Sequence, residues 1–244
     1  MKVLALPAVT RTHQTKIKSG AITLKGDLTI PKGAERVVVF AHGFGSSRQR
    51  PRSHRVAEAV QDAGIGVLVL DLLTAEEASE MYPRQRRFDI GFFAERLVNA
   101  TFWLKSEFDH QRVGYFGAST EAAAALVAAA ALGEIVGAVV SRSGRPDLAA
   151  DSLPMVKAPT LLIVGGLDHA LIEMNRQAYG RLRCEKQIEL VAHATHLFED
   201  SKALDHVAHL AAGWFQTHLT GQRPSAEGIE SGFAETNPSA PSES

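Results

Sequence analysis

The sequence predicts an α/β fold, a mostly parallel sheet with helices packed on both faces. Three observations carry this: apolar runs of strand length alternate with segments of helical period, several of those runs are continuously apolar, and polar or Gly-rich loops follow their ends. A strand wetted on one face would alternate instead. The stretch Ile17 to Ile30 does so around Gly20 and Gly26, which predicts two antiparallel N-terminal strands closed by Pro31-Lys32-Gly33.

The remaining elements follow in order. Val37 to Ala41 is a buried strand leading into the loop His42-Gly43-Phe44-Gly45-Ser46-Ser47. Val56 to Ala63 is a helix ended by Gly64, and Val67 to Leu70 the next strand. Ile90, Phe93, Ala94, Leu97, Thr101 and Leu104 recur at helical spacing, giving a long amphipathic helix over about Phe88 to Lys105. Strands at Val113 to Phe116, Ala138 to Val140, Thr160 to Val164 and Ile188 to Val191 then alternate with helices at Thr120 to Leu132, Leu171 to Leu182 and Ser201 to His218. The stretch between Val140 and Thr160 is too short for a large helical cap, so an open cleft is expected. Residues 1–220 read as one domain, and 221–244, rich in Ser, Pro, Glu and Gly, as a disordered tail.

Composition narrows the function. With 26 Lys and Arg against 27 Asp and Glu, the chain lacks the basic excess of a phosphate-neutralising surface, so a small-molecule substrate is expected rather than nucleic acid. The lone Cys184 cannot form an internal disulfide, no apolar run approaches membrane-spanning length, and the start is too brief for a signal peptide. A cytoplasmic protein with no membrane partner is the expectation. The histidines lack metal-ligand spacing, and neither a metal nor another cofactor is expected.

Chemistry points to Gly117-Ala118-Ser119-Thr120-Glu121, where a serine stands between a strand and a helix. Groups beyond the carboxyl ends of parallel strands meet at one site, and four pieces occupy such places: the His42 loop, Ser119, Asp168 after Gly165-Gly166, and His196. The order Ser, Asp, His is that of α/β-hydrolases. Ser119 would attack, His196 carry the proton and Asp168 hold the imidazole. Backbone N–H groups of Phe44 and Thr120 would receive the oxyanion, since one lies in the loop after an early strand and the other follows the nucleophile.

Each piece has a plainer alternative. Ser119 could be a helix N-cap, Asp168 a strand terminator that caps the next helix, and His196 a surface residue. His193 and His169 compete as the base and Asp147 as the acid. His196 is preferred because Leu197-Phe198 can anchor its loop in the core. His42 would order the oxyanion loop. Arg142 and Arg145, like Arg48, Arg50, Arg52 and Arg55, could edge the pocket or be solvated and paired with acids such as Glu76 and Glu77.

These motifs resemble the dienelactone hydrolase-related branch of the α/β-hydrolases. Members carry a His-Gly-x-Gly-Ser-Ser loop, a Gly-x-Ser-x-Gly elbow, a Gly-Gly-x-Asp turn and a Thr-His-Leu-Phe segment. Here these are His42 to Ser47, Gly117 to Glu121, Gly165 to Asp168 and Thr195 to Phe198. The resemblance runs from about Thr15 to about Leu219 and implies an α/β-hydrolase fold. It further implies a cofactor-independent enzyme cleaving a small carboxylic ester or lactone through an acyl-enzyme. Dienelactone hydrolases proper use cysteine, so Ser119 marks a serine-type relative. The alternatives are a non-catalytic binding protein and an acyltransferase with the same triad. Glu121 departs from the pattern, which has glycine there. Its carboxylate could point outward in the first helical turn, line the pocket, or distort the elbow.

Overall fold

The computed structural model describes residues 12–43, 51–80, 89–108 and 112–219. Strands β1 (Thr12–Ser19) and β2 (Ile22–Thr29) form an antiparallel hairpin, turning at Gly20 with φ +58°. Next come β3 (Arg36–His42), helix α1 (Pro51–Asp62), β4 (Gly66–Asp71), a short α2 (Ala75–Glu80) and the long α3 (Ile90–Glu107). The second half runs β5 (Arg112–Ala118), α4 (Thr120–Leu132), β6 (Val136–Arg142), β7 (Thr160–Gly165), α5 (His169–Arg181), β8 (Lys186–Val191) and α6 (Ser201–His218). The 143–159 connection carries two short 3-10 turns, at Pro146–Ala149 and Leu153–Met155.

One eight-stranded sheet results, in the order β1-β2-β4-β3-β5-β6-β7-β8. From β4 to β8 every neighbouring pair is parallel; β2 alone runs against them, and β1, antiparallel to β2, runs with them. This is the α/β-hydrolase fold. Period-two alternation decides which helix covers which face. Val37, Val39 and Ala41 face α3 and α4, while Val38 and Phe40 face α1 and α6. Both faces of β3 are therefore apolar, the reason its sequence does not alternate. On the α6 side Phe40 stacks on Phe116, ring centroids 4.6 Å apart. Gly114 of β5 leaves room beneath Phe215, since a Cβ there would lie 3.0 Å from that ring.

The chain leaves β3 for β4 on one side and reaches β5 on the other. The strand order therefore reverses between β3 and β5, and the carboxyl edge at such a switch point is the usual place for a site in an open parallel sheet. Expected elements appear with ends displaced by a few residues, among them β1, which begins at Thr12 rather than Ile17, and α1, which begins at Pro51 rather than Val56. Helix α2 was not expected. The predicted tail 221–244 lies outside the described residues. Among the described residues no helix is long and apolar enough to cross a membrane.

Candidate active site

Strain marks the site before any side chain does. Among the described residues the non-glycine residues with positive φ are Ser119, Ser143, His193 and Phe198, and all four lie in connections leaving the carboxyl ends of β5, β6 and β8. Such backbone costs roughly 1–3 kcal/mol per residue, and its clustering at functional sites is general. Ser119 sits at φ 54° and ψ −123°, between the last residue of β5 and the first of α4. Its side chain makes no capping hydrogen bond, so the N-cap alternative does not account for it. Gly117 makes the turn possible: a Cβ there would lie 2.6 Å from Ala122 Cα and 2.7 Å from its nitrogen.

His196 Nδ1 stands 3.0 Å from Asp168 Oδ2. Gly165 and Gly166 permit this approach of the β7 turn to the histidine loop, because a Cβ on Gly165 would come within 2.6 Å of Ala194 O and one on Gly166 within 3.0 Å of Val191 O. The N–H of Leu167 then donates to Ala194 O at 3.0 Å. Asp168 also caps α5, its Oδ1 accepting from Leu171 N at 3.2 Å. Capping and binding histidine are thus not exclusive, since the carboxylate has an oxygen for each. Among the described residues no hydrogen bond joins Ser119 Oγ to His196. Such bonds commonly tighten only when substrate is bound.

The competing residues are placed elsewhere. Asp147 is held by Arg145 through two bonds, Nε to Oδ1 at 2.8 Å and Nη2 to Oδ2 at 2.7 Å, and this guanidinium keeps its carboxyl below the usual range. Arg145 is therefore engaged with a neighbour, although its backbone N–H donates to Ser119 O at 3.0 Å and so ties the loop after β6 to the elbow. His193 and His169 are exposed. Arg142 ends β6 beside Ala118, is half-buried, and its carbonyl accepts from Ser119 N at 3.4 Å. His42 is buried at the end of β3, with its carbonyl accepting from Leu72 N at 2.7 Å. Thr120 opens α4, so its backbone N–H has no acceptor within the helix. Phe44, Arg48 and Arg50 lie outside the described residues. Arg55 pairs with Asp205 at 2.7 Å on the surface.

Two expectations need correction. Of Leu197-Phe198, Phe198 alone anchors the loop: it is 1% exposed against 46% for Leu197. The turn at Phe198, with φ 51°, sends these neighbours opposite ways. Glu121 does not point outward. Its Oε1 accepts from Gly43 N at 3.0 Å and its Oε2 from Thr120 Oγ1 at 3.3 Å, so the acid faces the loop after β3.

A supporting serine went unrecognised in the sequence. Ser143, 2% exposed, donates from Oγ to His196 O at 3.0 Å, while its N–H donates to Ile163 O at 2.8 Å. Buried Asn175 reinforces that loop, donating to Gly144 O at 3.1 Å and Leu171 O at 2.9 Å. Neither carries a motif, because both act through distant backbone. Among the described residues no group of three His, Cys, Asp or Glu is placed to hold a metal. A separate groove of about 710 Å³, lined by Trp214, His206, His209 and Leu161 among others, opens near the amino ends of β7 and β8 and contains none of Ser119, Asp168 and His196.

A sequence model of the dienelactone hydrolase family matches residues 24–217. The chain belongs to that family. A crystal structure of a dienelactone hydrolase from Anabaena variabilis is 51% identical, with a TM-score of 0.83, covering 86% of this chain and 99% of that one. An α/β serine hydrolase without a lid, from Xanthomonas campestris, shares the fold at 15% identity with a TM-score of 0.69, covering 90% of this chain and 100% of its own. Proteins from two strains of Mycobacterium tuberculosis, each named a putative phosphoribosyl transferase, are 48% identical over 217 residues, 88% of this chain and 48% of theirs. The chain therefore spans about half the length of those curated relatives.

Proposed function

We propose that this member of the dienelactone hydrolase family is a serine hydrolase that cleaves a small carboxylic ester or lactone through an acyl-enzyme. Ser119 Oγ attacks the carbonyl carbon while His196 Nε2 takes its proton, and backbone N–H groups of Thr120 and Phe44 receive the negative oxygen. Collapse breaks the bond to the leaving alkoxide, which takes the proton from His196. Water then attacks the acyl carbon, gives its proton to His196, and frees the acid as the proton returns to Ser119. Asp168 holds the imidazole with Nδ1–H directed at its carboxylate and stabilises the cation formed in each half.

The observation that carries the reading is the strained backbone of Ser119, φ 54° with no capping bond. A structural serine at a helix start would use relaxed extended backbone, and its Oγ would accept from a backbone N–H of the first turn. The Asp168 to His196 bond supports the same reading from the other side of the crevice. The transferase name of the mycobacterial proteins is not carried over, because this chain spans about half of their length and the hydrolase family model matches its residues 24–217.

The test is a short-chain aryl ester and an active-site label. Ser119→Ala should lower turnover by about a thousandfold or more, the loss typical of removing a triad member. A fluorophosphonate should label Ser119 in the wild type and nothing in the variant. Unchanged turnover, or labelling at another residue, rejects the proposal.

A further inference from the structure

The turn that follows β6 is bonded to the backbone of both reacting residues. We propose that this turn, Ser143-Gly144-Arg145, braces nucleophile against base, and that Ser143 is its positioning residue: the hydroxyl holds the His196 backbone at a fixed reach from Ser119. The inference rests on the hydrolase reading above and adds a residue that acts on the reaction only through His196.

The bonds leave the turn in two directions. Toward the elbow, Ser119 N donates to Arg142 O at 3.4 Å and Arg145 N donates to Ser119 O at 3.0 Å, so both backbone groups of the nucleophile are held by residues flanking positions 143 and 144. Toward the base, Ser143 Oγ donates to His196 O at 3.0 Å, joining residues 53 positions apart. The turn between those contacts has little freedom. Ser143 N donates to Ile163 O at 2.8 Å, and Asn175, fully buried on α5, donates to Gly144 O at 3.1 Å. A Cβ on Gly144 would lie 2.7 Å from Ala122 Cβ, so the turn also sits tightly on α4. Ser143 itself adopts φ 43°, backbone that a serine seldom takes. Its buried hydroxyl is directed at the carbonyl of the base. Asp168 fixes the imidazole at Nδ1, but a ring held at one atom still swings with the backbone that carries it. Ser143 supplies the second point: Asp168 orients the ring and Ser143 holds its backbone. Proton transfer from Ser119 Oγ to His196 Nε2 depends steeply on their separation, and a displacement of about 1 Å is enough to cost about a hundredfold.

Action through His196 is what separates this role from general support of the fold. The measurement is kcat and KM for 4-nitrophenyl butyrate with wild type, Ser143→Gly, His196→Ala, the Ser143→Gly/His196→Ala double variant, and Asn175→Leu alone and beside His196→Ala. Glycine accepts the backbone at φ 43° and removes only the hydroxyl. Ser143→Gly should lower kcat by about ten- to a hundredfold with KM within about twofold of wild type, as for an interaction that counts only in the transition state. Beside His196→Ala, where no base remains to be placed, the same change should cost less than about twofold. Asn175→Leu loosens the turn from its other side, and decides by the same two comparisons should Ser143→Gly fail to fold. The inference is overturned if Ser143→Gly keeps wild-type kcat, if its loss appears in KM instead, or if it costs as much without His196 as with it. Wild-type turnover with Ser119 labelling shows that the hydrolase reading stands even then. A wild type that neither turns over ester nor labels at Ser119 overturns both.

Discussion

Asp168 shows how one residue serves two purposes and how they can be separated. One carboxylate oxygen caps α5 at Leu171 N and the other meets His196 Nδ1. Asn caps a helix as well as Asp does but is uncharged and offers the histidine the wrong partner. Asp168→Asn should therefore lower kcat by about three to four orders of magnitude while the melting temperature hardly moves. Asp168→Ala should lose activity and, in addition, about 1 kcal/mol of stability through the missing cap. Ester kinetics alongside urea titrations separate the two effects. Equal stability of both variants would show that the cap contributes nothing. At this scale the triad candidates were legible because reactive residues sit in short local motifs. Ser143 was not, because its hydroxyl matters only through a carbonyl 53 residues away.

At the scale of elements, α2 is the instructive miss. It is only one to two turns long and carries no apolar period, so a search for amphipathic faces passes over it. Its signal was a capping box, Thr74-Ala75-Glu76-Glu77. Glu77 N donates to Thr74 Oγ1 at 3.2 Å, and Thr74 N donates to Glu77 Oε2 at 2.9 Å. Glu77 is more than a cap. Arg96 of α3, only 4% exposed, donates Nη1 and Nη2 to its two oxygens at 2.7 and 2.6 Å and also bonds Leu72 O. Phe92 covers the guanidinium at 3.9 Å. Glu77 was offered as one acid for the two arginine clusters, and the structure gives it a buried counter-ion on a helix, Arg96. Glu77→Ala strips that buried charge of its carboxylate and should destabilise by about 3–5 kcal/mol in urea unfolding. Glu77→Gln, which keeps an acceptor, should cost clearly less. A change below about 0.5 kcal/mol for Glu77→Ala would mean that water replaces the carboxylate freely.

The whole molecule is organised by a sheet buried on both faces, with β5 at its centre carrying the elbow. Small residues along β5 are set by what packs over them: a Cβ on Gly114 would lie 3.0 Å from the Phe215 ring and 3.1 Å from Leu219 Cδ1 of the α6 end. Gly114→Val should overpack this contact and destabilise by about 1–3 kcal/mol. Trimming the opposing side chain at the same time, Gly114→Val with Phe215→Leu, should recover part of the loss if the collision is its cause. Urea midpoints for the single and double variants check this. An unimproved double variant would place the fault in the strand itself.

The sequence by itself determined the alternation of strands and helices, the two-faced burial of the sheet and the order Ser119, Asp168, His196. These depend on local chemistry: side-chain period, glycine turns and the types of group that react. Tertiary structure alone decided that Asp168 rather than Asp147 meets His196, because that choice depends on which loops approach across β6 to β8 and on Arg145 already holding Asp147. It also decided the direction of Glu121. A carboxylate in a first helical turn is favourable pointing outward or inward, and only the bare backbone of Gly43 across the crevice makes the inward bond available.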